Sequence, residues 1–272
     1  DINSVTGKIM CRWAAYRGEP IFLSEIVTDP SHSLIAQSHA ATHCHTPTNA
    51  DGFGVAWYDH RPEPGLYRDV YPAWSDPNLR SLAAQVRSGL FMAHVRASTG
   101  TATSRNNCHP FVCGRWSFMH NGQIGGFEQF RKDADMMIPD ALYSSRKGAT
   151  DSEALFLVAM GFGLDACPRT ALQRAAAIFE KRARTAGASP QMRLTAALSD
   201  GERLYAVRYA SDDHAPTLYY RWSDTRRGWA VVSEPLDDGE GDWNAVASGS
   251  FVVFDAETLE IHPFAPLLEQ AA

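Results

Sequence analysis

The stretch "TDSEALFLVAMGF" (residues 150–162) decides the fold class that the sequence predicts. It reads as a helix that begins at Thr150 or Asp151, either of which can cap it. A second helix follows in "PRTALQRAAAIFEKRART" (168–185), with basic residues in its last turns. The two helices adjoin in sequence and are expected to adjoin in space. What surrounds them determines the architecture.

Short runs rich in β-branched and aromatic residues lie on both sides of these helices and predict strands. Before the helices they are "CRWAAY" (11–16), "IFLSEIV" (21–27), "FGVAWYD" (53–59), "LFMAHV" (90–95) and "RWSFMH" (115–120). After the helices they are "MRLTAALSD" (192–200), "RLYAVRYA" (203–210), "TLYYRW" (217–222), "GWAVVSE" (228–234) and "SFVVFD" (250–255). A further helix is predicted in "DPNLRSLAAQVR" (76–87), with an Asp cap and a Pro in its first turn. Strands, then helices, then strands predict an α+β fold of two packed sheets with outer helices, not a parallel α/β sheet.

Composition narrows the class of function. The chain has 272 residues, 44% of them hydrophobic, and no linker divides it, so one domain is expected. Its net charge of −6 gives no reason to expect nucleic acid or an anionic membrane as partner, since both select basic surfaces. No apolar run approaches the roughly 20 residues of a membrane span, and no secretory signal is recognisable. We therefore expect a cytoplasmic protein that acts on a small molecule.

The five cysteines, an odd number at irregular spacing, predict free thiols rather than a complete disulfide framework. Residues 1–10, "DINSVTGKIM", show no hydrophobic period and end in a plausible initiator methionine. We interpret them as residues added for expression, or alternatively as a natural propeptide. The domain is then expected to span residues 11–272.

Cys11 is the first candidate for chemistry. If Met10 is the initiator and is removed, Cys11 carries a free α-amine with a pKa of about 7.7 to 8.0, which can take the proton of its own thiol. One residue then supplies a nucleophile and its base. The alternative is that Cys11 fills the buried face of a strand, as cysteine often does.

Arg96 and Thr99 form the second candidate site. They lie where a predicted strand ends and the polar loop "RASTGTATSRNN" (96–107) begins. The planar guanidinium of Arg96 can bind a substrate carboxylate through two parallel hydrogen bonds, and the Thr99 hydroxyl can form a further hydrogen bond. The alternative is that Arg96 pairs with an internal acid.

The segment "FMHNGQIGGF" (118–127) is the third candidate. The side-chain amide of Asn121 and the backbone N–H of Gly122 can converge on one point, as a developing oxyanion requires. An ordinary Asn-Gly turn is the alternative.

Asp151 is the fourth candidate: most aspartates at a helix start are caps, but one facing Arg96 across a cleft would hold an ammonium.

A metal site is an alternative use of the histidines and cysteines in this chain. The segments "HAATHCHTP" (39–47) and "NCHPFVC" (107–113) contain histidines and cysteines, but neither matches a compact zinc spacing. We expect no metal and no cofactor. A metal-binding module that uses His43 to His45 is the alternative.

These stretches, in this order, resemble the glutaminase domain of class II glutamine amidotransferases, which are N-terminal-nucleophile (Ntn) hydrolases. The resemblance covers most of the chain from Cys11, and "NADGFGVAWY" (49–58) and "VVSEPL" (231–236) resemble further segments of its stand-alone bacterial branch. It implies a four-layer αββα sandwich of two antiparallel sheets, and hydrolysis of the glutamine side-chain amide through a Cys thioester.

Carried over by position, Cys11 resembles the nucleophile, with its α-amine as general base. Asn121 and Gly122 resemble the oxyanion hole. The remaining matches are to substrate-contacting groups: Arg96 for the carboxylate, Asp151 for the amino group and Thr99 for a hydroxyl.

The sequence departs from synthase-linked relatives at "RASTG" (96–100), where Ala97 and Gly100 stand in place of a tryptophan and a histidine. Gating by those side chains is therefore not expected. The released ammonia would go to an ammonia-accepting partner protein or be lost. Two alternatives remain: hydrolysis of γ-glutamyl amides of larger molecules, and a non-catalytic protein that binds glutamine or a γ-glutamyl compound and regulates a partner.

Overall fold

The computed structural model describes residues 11–39, 50–97, 102–239 and 242–267. The strands in these ranges are β1 (Arg12–Phe22), β2 (Phe53–Tyr58), β3 (Gly65–Asp69), β4 (Arg87–Val95), β5 (Phe111–Cys113), β6 (Trp116–Ile124), β7 (Met192–Ser199), β8 (Leu204–Ala210), β9 (Tyr219–Ser223), β10 (Gly228–Val232), β11 (Asn244–Ala245), β12 (Ser250–Asp255) and β13 (Thr258–Pro263). The helices are α1 (Ser24–Val27), α2 (Leu34–His39), α3 (Pro77–Gln85), α4 (Phe127–Met136), α5 (Asp140–Tyr143), α6 (Asp151–Gly161) and α7 (Pro168–Thr185).

The described strands form two antiparallel sheets. One has the order β11-β9-β10-β1-β4-β2-β3, and the other has the order β13-β12-β8-β7-β6-β5. In both, every paired strand runs antiparallel to its described neighbour. The predicted α+β class with two antiparallel sheets is confirmed.

Three separate hydrophobic cores show how the layers stack. One lies between the seven-stranded sheet and α1, α2 and α3, another between the six-stranded sheet and α4, α6 and α7, and the third between the two sheets. Successive side chains of a strand point to opposite faces of its sheet and so contribute to different cores. In β1, Ala14 and Tyr16 face the helices while Trp13 and Ala15 face the other sheet. Three cores require four layers, so the predicted αββα sandwich is confirmed.

Some predicted elements differ from the structure. The helix predicted at 168–185 is observed with those bounds, and the helix predicted at 150–162 is α6, with Thr150 as its N-cap. The strand predicted at 21–27 is wrong. There β1 ends at Phe22 and α1 follows, because Leu23, Ile26 and Val27 share a helical spacing and are buried together in the outer core.

Strand ends bring the site together at one edge of the sandwich. Arg12 at the start of β1 pairs with Val95 at the end of β4, which places Cys11 opposite the loop that follows Val95. In the other sheet, β6 ends at Ile124, where it meets the start of α6. None of the helices in the described part of the chain is long and apolar enough to cross a membrane.

Candidate active site

A cavity of about 410 Å³ opens at this edge of the sandwich. The side chains and backbone that line it come from the start of β1, the end of β4, the end of β6 and the start of α6, and they include Cys11, Arg96, Gly122 and Asp151. Four of the residues predicted from sequence are therefore brought together. Cys11 and Asp151 are 140 residues apart in the chain. Antiparallel strand pairing and the stacking of the two sheets bring them to the same cavity.

Cys11 lies one residue before β1 and continues the alternation of Trp13 and Ala15, so it faces the space between the sheets. Its Sγ lies 3.4 Å from the backbone N of Ala97, which donates to it, and 3.5 Å from the carbonyl oxygen of Ala97, which can accept from it. One side of the residue opens on the cavity. The thiol is thus fixed by the backbone that follows β4.

Burial raises the pKa of the Cys11 thiol, and the Ala97 N–H and the positive charges of Arg96 and Arg12 offset part of this shift. Desolvation dominates because the thiolate would lie largely out of water. The thiol is therefore protonated at rest and needs a base to become a nucleophile.

Arg96 is 4% exposed and follows β4 directly. Its backbone pairs with the segment before β2: its N–H donates to Gly52 O at 2.8 Å and its carbonyl accepts from Asp51 N at 3.2 Å. The guanidinium also donates to Asp51 O through Nη1 at 3.3 Å. These contacts hold the side chain in the cavity wall, where its charge can meet an anion.

Asp151 is the first residue of α6, and Thr150 before it is the N-cap. The Thr150 hydroxyl accepts from Glu153 N at 3.2 Å, so the cap function belongs to Thr150 and the Asp151 carboxylate is left for other contacts. Its Oδ2 accepts from Ile124 N at 2.9 Å and its Oδ1 from Ser152 N at 2.7 Å. Two backbone N–H groups thereby fix the orientation of this carboxylate at the cavity wall.

Gly122 has φ of 147°, a conformation that glycine adopts readily. A Cβ here would collide with the carbonyl oxygen of Arg193 on β7. Asn121 lies on the opposite face of β6, as Met119 does, and is 3% exposed between the sheets. Of these two predicted residues, Gly122 lines the cavity while Asn121 is buried beside it.

Two further cavity residues, His120 and Ser152, were not selected from the sequence. His120 Nδ1 lies 2.9 Å from Ser152 Oγ, and its Nε2 lies 3.0 Å from the carbonyl oxygen of Arg193. Burial lowers the pKa of His120, although the Asp151 carboxylate opposes this shift. Both lie next to a selected residue, and that adjacency was the signal available in the sequence.

His94 and His109 pack against each other at the cavity, with their rings tilted by 31° and their centroids 4.3 Å apart, and His109 lines the cavity. Of the residues that the structure describes, none is in hydrogen-bonding geometry with any of their ring nitrogens. Burial lowers the pKa of His94 to about 3, and it lowers the pKa of His109 as well. Both rings are therefore neutral parts of the core near neutral pH.

Several sequence predictions stay untested by the geometry. Thr99 and the segment His43 to His45 lie outside the described residues. Within the described ranges, no group of three or more potential metal ligands occurs. The four cysteines described there (Cys11, Cys108, Cys113, Cys167) are free.

Comparison with known proteins identifies the family. The family model described as "Glutamine amidotransferases class-II" matches residues 22–267. The chain belongs to this family of enzymes. The resemblance read from the sequence is thus confirmed, and the enzyme class with it.

Relatives of this class II amidotransferase support the assignment. It is 34% identical to "Probable glutamine amidotransferase DUG3" of Saccharomyces cerevisiae over 93% of this chain and 84% of that protein. It is 28% identical to the "Gamma-glutamyl-hercynylcysteine sulfoxide hydrolase" of Mycolicibacterium smegmatis over 87% of this chain and 92% of that one. A solved glutamine aminotransferase class-II domain protein from Silicibacter pomeroyi superposes with a TM-score of 0.78 at 53% identity, covering 94% of this chain and all of that one.

Proposed function

We propose that this amidotransferase hydrolyses the amide bond on the γ-carboxyl group of a glutamyl moiety, through a thioester on Cys11. The observation that carries the proposal is the cavity in which a thiol, a guanidinium and an oriented carboxylate meet. A nucleophile flanked by one fixed positive and one fixed negative group suits an α-amino acid whose side chain bears the scissile bond.

Recognition uses the two charges. Arg96 pairs with the α-carboxylate of the substrate, and Asp151 pairs with its α-ammonium. Because the Asp151 carboxylate is held by the N–H groups of Ile124 and Ser152, little reorganisation is needed when the ammonium arrives. Charge-assisted hydrogen bonds of this kind are the strong ones in a partly buried site.

The reaction begins with Cys11 as the first residue of the chain. Its neutral α-amine accepts the thiol proton, and the thiolate sulfur attacks the amide carbonyl carbon. The carbonyl electrons move onto oxygen, and the resulting oxyanion receives hydrogen bonds from the Gly122 N–H and the Asn121 amide. The C–N bond then breaks, and the departing nitrogen takes its proton from the α-ammonium.

Water completes the cycle. The α-amine of Cys11 removes a proton from a water molecule, which attacks the thioester carbonyl and releases a free γ-carboxylate. The sulfur leaves as a thiolate and is reprotonated by the α-ammonium. The raised thiol pKa supports this role for a base, since a buried protonated thiol does not react by itself.

A larger leaving group than ammonia is favoured by the size of the cavity. Ligand pockets for drug-sized molecules span about 300 to 1,000 Å³, and 410 Å³ falls in that range. The mycobacterial relative is named for a γ-glutamyl conjugate. We therefore include γ-glutamyl amides of larger amines among the substrates. Delivery of ammonia to a partner protein stays a prediction.

The proposal is tested by labelling with a diazo-ketone analogue of glutamine in protein that begins at Cys11. We expect one covalent adduct, mapped to Cys11 by mass spectrometry and absent from Cys11→Ser. Cys167 provides the control thiol, because it is exposed and because hydrogen bonds from the Thr170 hydroxyl and backbone N–H to its sulfur lower its pKa. Labelling of Cys167 in preference to Cys11 would refute the proposal, and ligand binding without turnover would favour the non-catalytic alternative.

A further inference from the structure

The proton on His120 has a defined position. Its Nε2 lies 3.0 Å from the carbonyl oxygen of Arg193, and a carbonyl can only accept, so Nε2 carries the N–H. His120 is 3% exposed, and burial lowers its pKa, so the ring is neutral and its Nδ1 is an acceptor without a proton. The Ser152 hydroxyl, 2.9 Å away, is then the donor in this contact.

The Ser152 hydroxyl has two acceptors within reach but only one proton. Its Oγ is also 3.1 Å from Oδ1 of Asp151. Asp151 already accepts two backbone N–H groups and opens on the cavity, whereas His120 Nδ1 has Ser152 as its partner among the described residues. The contact with His120 Nδ1 is also the shorter of the two, at 2.9 Å against 3.1 Å, so the hydroxyl donates to His120.

We propose that His120 is a positioning residue for substrate recognition: by accepting the Ser152 hydroxyl proton, it keeps that hydroxyl from donating to the Asp151 carboxylate. The negative charge of Asp151 then stays available for the α-ammonium of the substrate. This inference rests on the proposed ammonium-binding role of Asp151.

Two substitutions of His120 separate this role from a structural one. In His120→Asn the amide oxygen takes the place of Nδ1 and can still accept from Ser152, but the contact with Arg193 is lost. In His120→Gln the amide reaches the place of Nε2 and keeps the contact with Arg193, but Ser152 loses its acceptor. The hydroxyl must then turn to Asp151.

We expect His120→Gln to raise KM for glutamine by about 5- to 10-fold, the scale at which one charge-assisted hydrogen bond competes with another. We expect His120→Asn to stay within about 2-fold of the parent, and kcat to change little in both. Adding Ser152→Ala to His120→Gln removes the competing hydroxyl and should bring KM back to within about 2-fold of the parent. A structural role predicts no such rescue.

The assay is ammonia release from glutamine by protein that begins at Cys11, after circular dichroism has shown that each variant is folded. Glutaramate, which is glutamine without its α-ammonium, is the matched substrate control. Its kcat/KM should be the same in all three His120 variants and the parent, because Asp151 has no ammonium to bind.

Equal rises of KM in His120→Asn and His120→Gln, or no rescue by Ser152→Ala, would overturn the inference. If His120→Asn does not fold, His120→Gln still carries the test through its response to Ser152→Ala. If His120→Gln does not fold, His120→Leu takes its place, because it also leaves the Ser152 hydroxyl without an acceptor on residue 120. Asp151→Asn tests the ammonium site separately from the role of His120. An unchanged KM in Asp151→Asn refutes the ammonium site itself, whereas a raised KM there with no rescue refutes only the role of His120.

Discussion

The free energy of unfolding should fall on acidification at pH values well above those at which carboxylates titrate. Buried His94 is the main cause that the structure identifies. The side chain is 1% exposed, and both ring nitrogens lack hydrogen-bonding partners among the described residues. Burial lowers the pKa of His94 to about 3, with a smaller contribution from the charge of Arg96, and the nearby backbone of His120 offsets part of the shift. Folding therefore holds the ring in its neutral form.

The size of the effect follows from proton linkage. An unfolded-state histidine has a pKa of about 6.5, so between about pH 6.5 and 3 the unfolded chain binds a proton that the folded chain does not. The stabilisation is fully present above this window and is lost as the pH falls. For His94 alone the loss between about pH 8 and 5.5 is about 1.4 kcal/mol, and the slope approaches about 1.4 kcal/mol per pH unit below that.

His109 and His120 add to the loss in the same direction, because burial lowers the pKa of each. The assay is urea unfolding at intervals between about pH 5.5 and 8, with the free energy of unfolding plotted against pH. His94→Gln should be less stable at every pH but should show a shallower slope. His60→Gln is the control, since the His60 side chain is 93% exposed and in water in both states.

A slope in His94→Gln equal to that of the parent would refute the reasoning. It would mean that His94 takes up its proton in the folded chain as readily as in the unfolded one. A slope change of similar size in His60→Gln would equally remove His94 as the cause.

Three further predictions concern the proposed site. Asn121→Ala should lower kcat by about 10²- to 10³-fold with a much smaller change in KM, as expected for loss of an oxyanion donor, and unchanged kcat would remove Asn121 from the mechanism. Gly122→Ala should destabilise the fold by about 2 kcal/mol or more in urea unfolding, because its Cβ meets Arg193 O, whereas Gly114→Ala has open space and should cost less. Protein that retains residues 1–10 should be a poor glutaminase, because the nitrogen of Cys11 is then an amide; equal rates before and after trimming to Cys11 would exclude the α-amine as base.

Local patterns predicted the elements that bury a strong apolar face. The helix at 168–185 and the strands around Cys11, 90–95 and 250–255 were predicted because their period and composition are unambiguous. Elements with weak apolar content were not predicted. The edge strand β13 is largely exposed and the edge strand β3 is mostly half-buried. Helix α4 begins at Phe127, directly after a glycine-rich segment that reads as a turn.

Stretch 21–27 shows why short apolar runs are ambiguous. Its β-branched residues favour a strand, yet Leu23, Ile26 and Val27 also have helical spacing. Whether the stretch forms a strand or a helix depends on where β1 leaves the sheet. It also depends on the outer core in which these side chains are buried. That information lies in contacts with distant parts of the chain.

Motif order and side-chain chemistry were enough to identify the family and the candidate groups, because both are local properties of the chain. The run of strands, helices and strands predicted two packed sheets, and the family resemblance implied the four-layer sandwich. Tertiary structure alone decided which groups share a cavity: it gathered Cys11, Arg96, Gly122 and Asp151 and buried Asn121 beside them. It also assigned the helix cap to Thr150, which left the Asp151 carboxylate to Ile124 and Ser152. The physical reason is that hydrogen-bond partners and desolvation depend on neighbours in space, and spacing along the chain does not specify them.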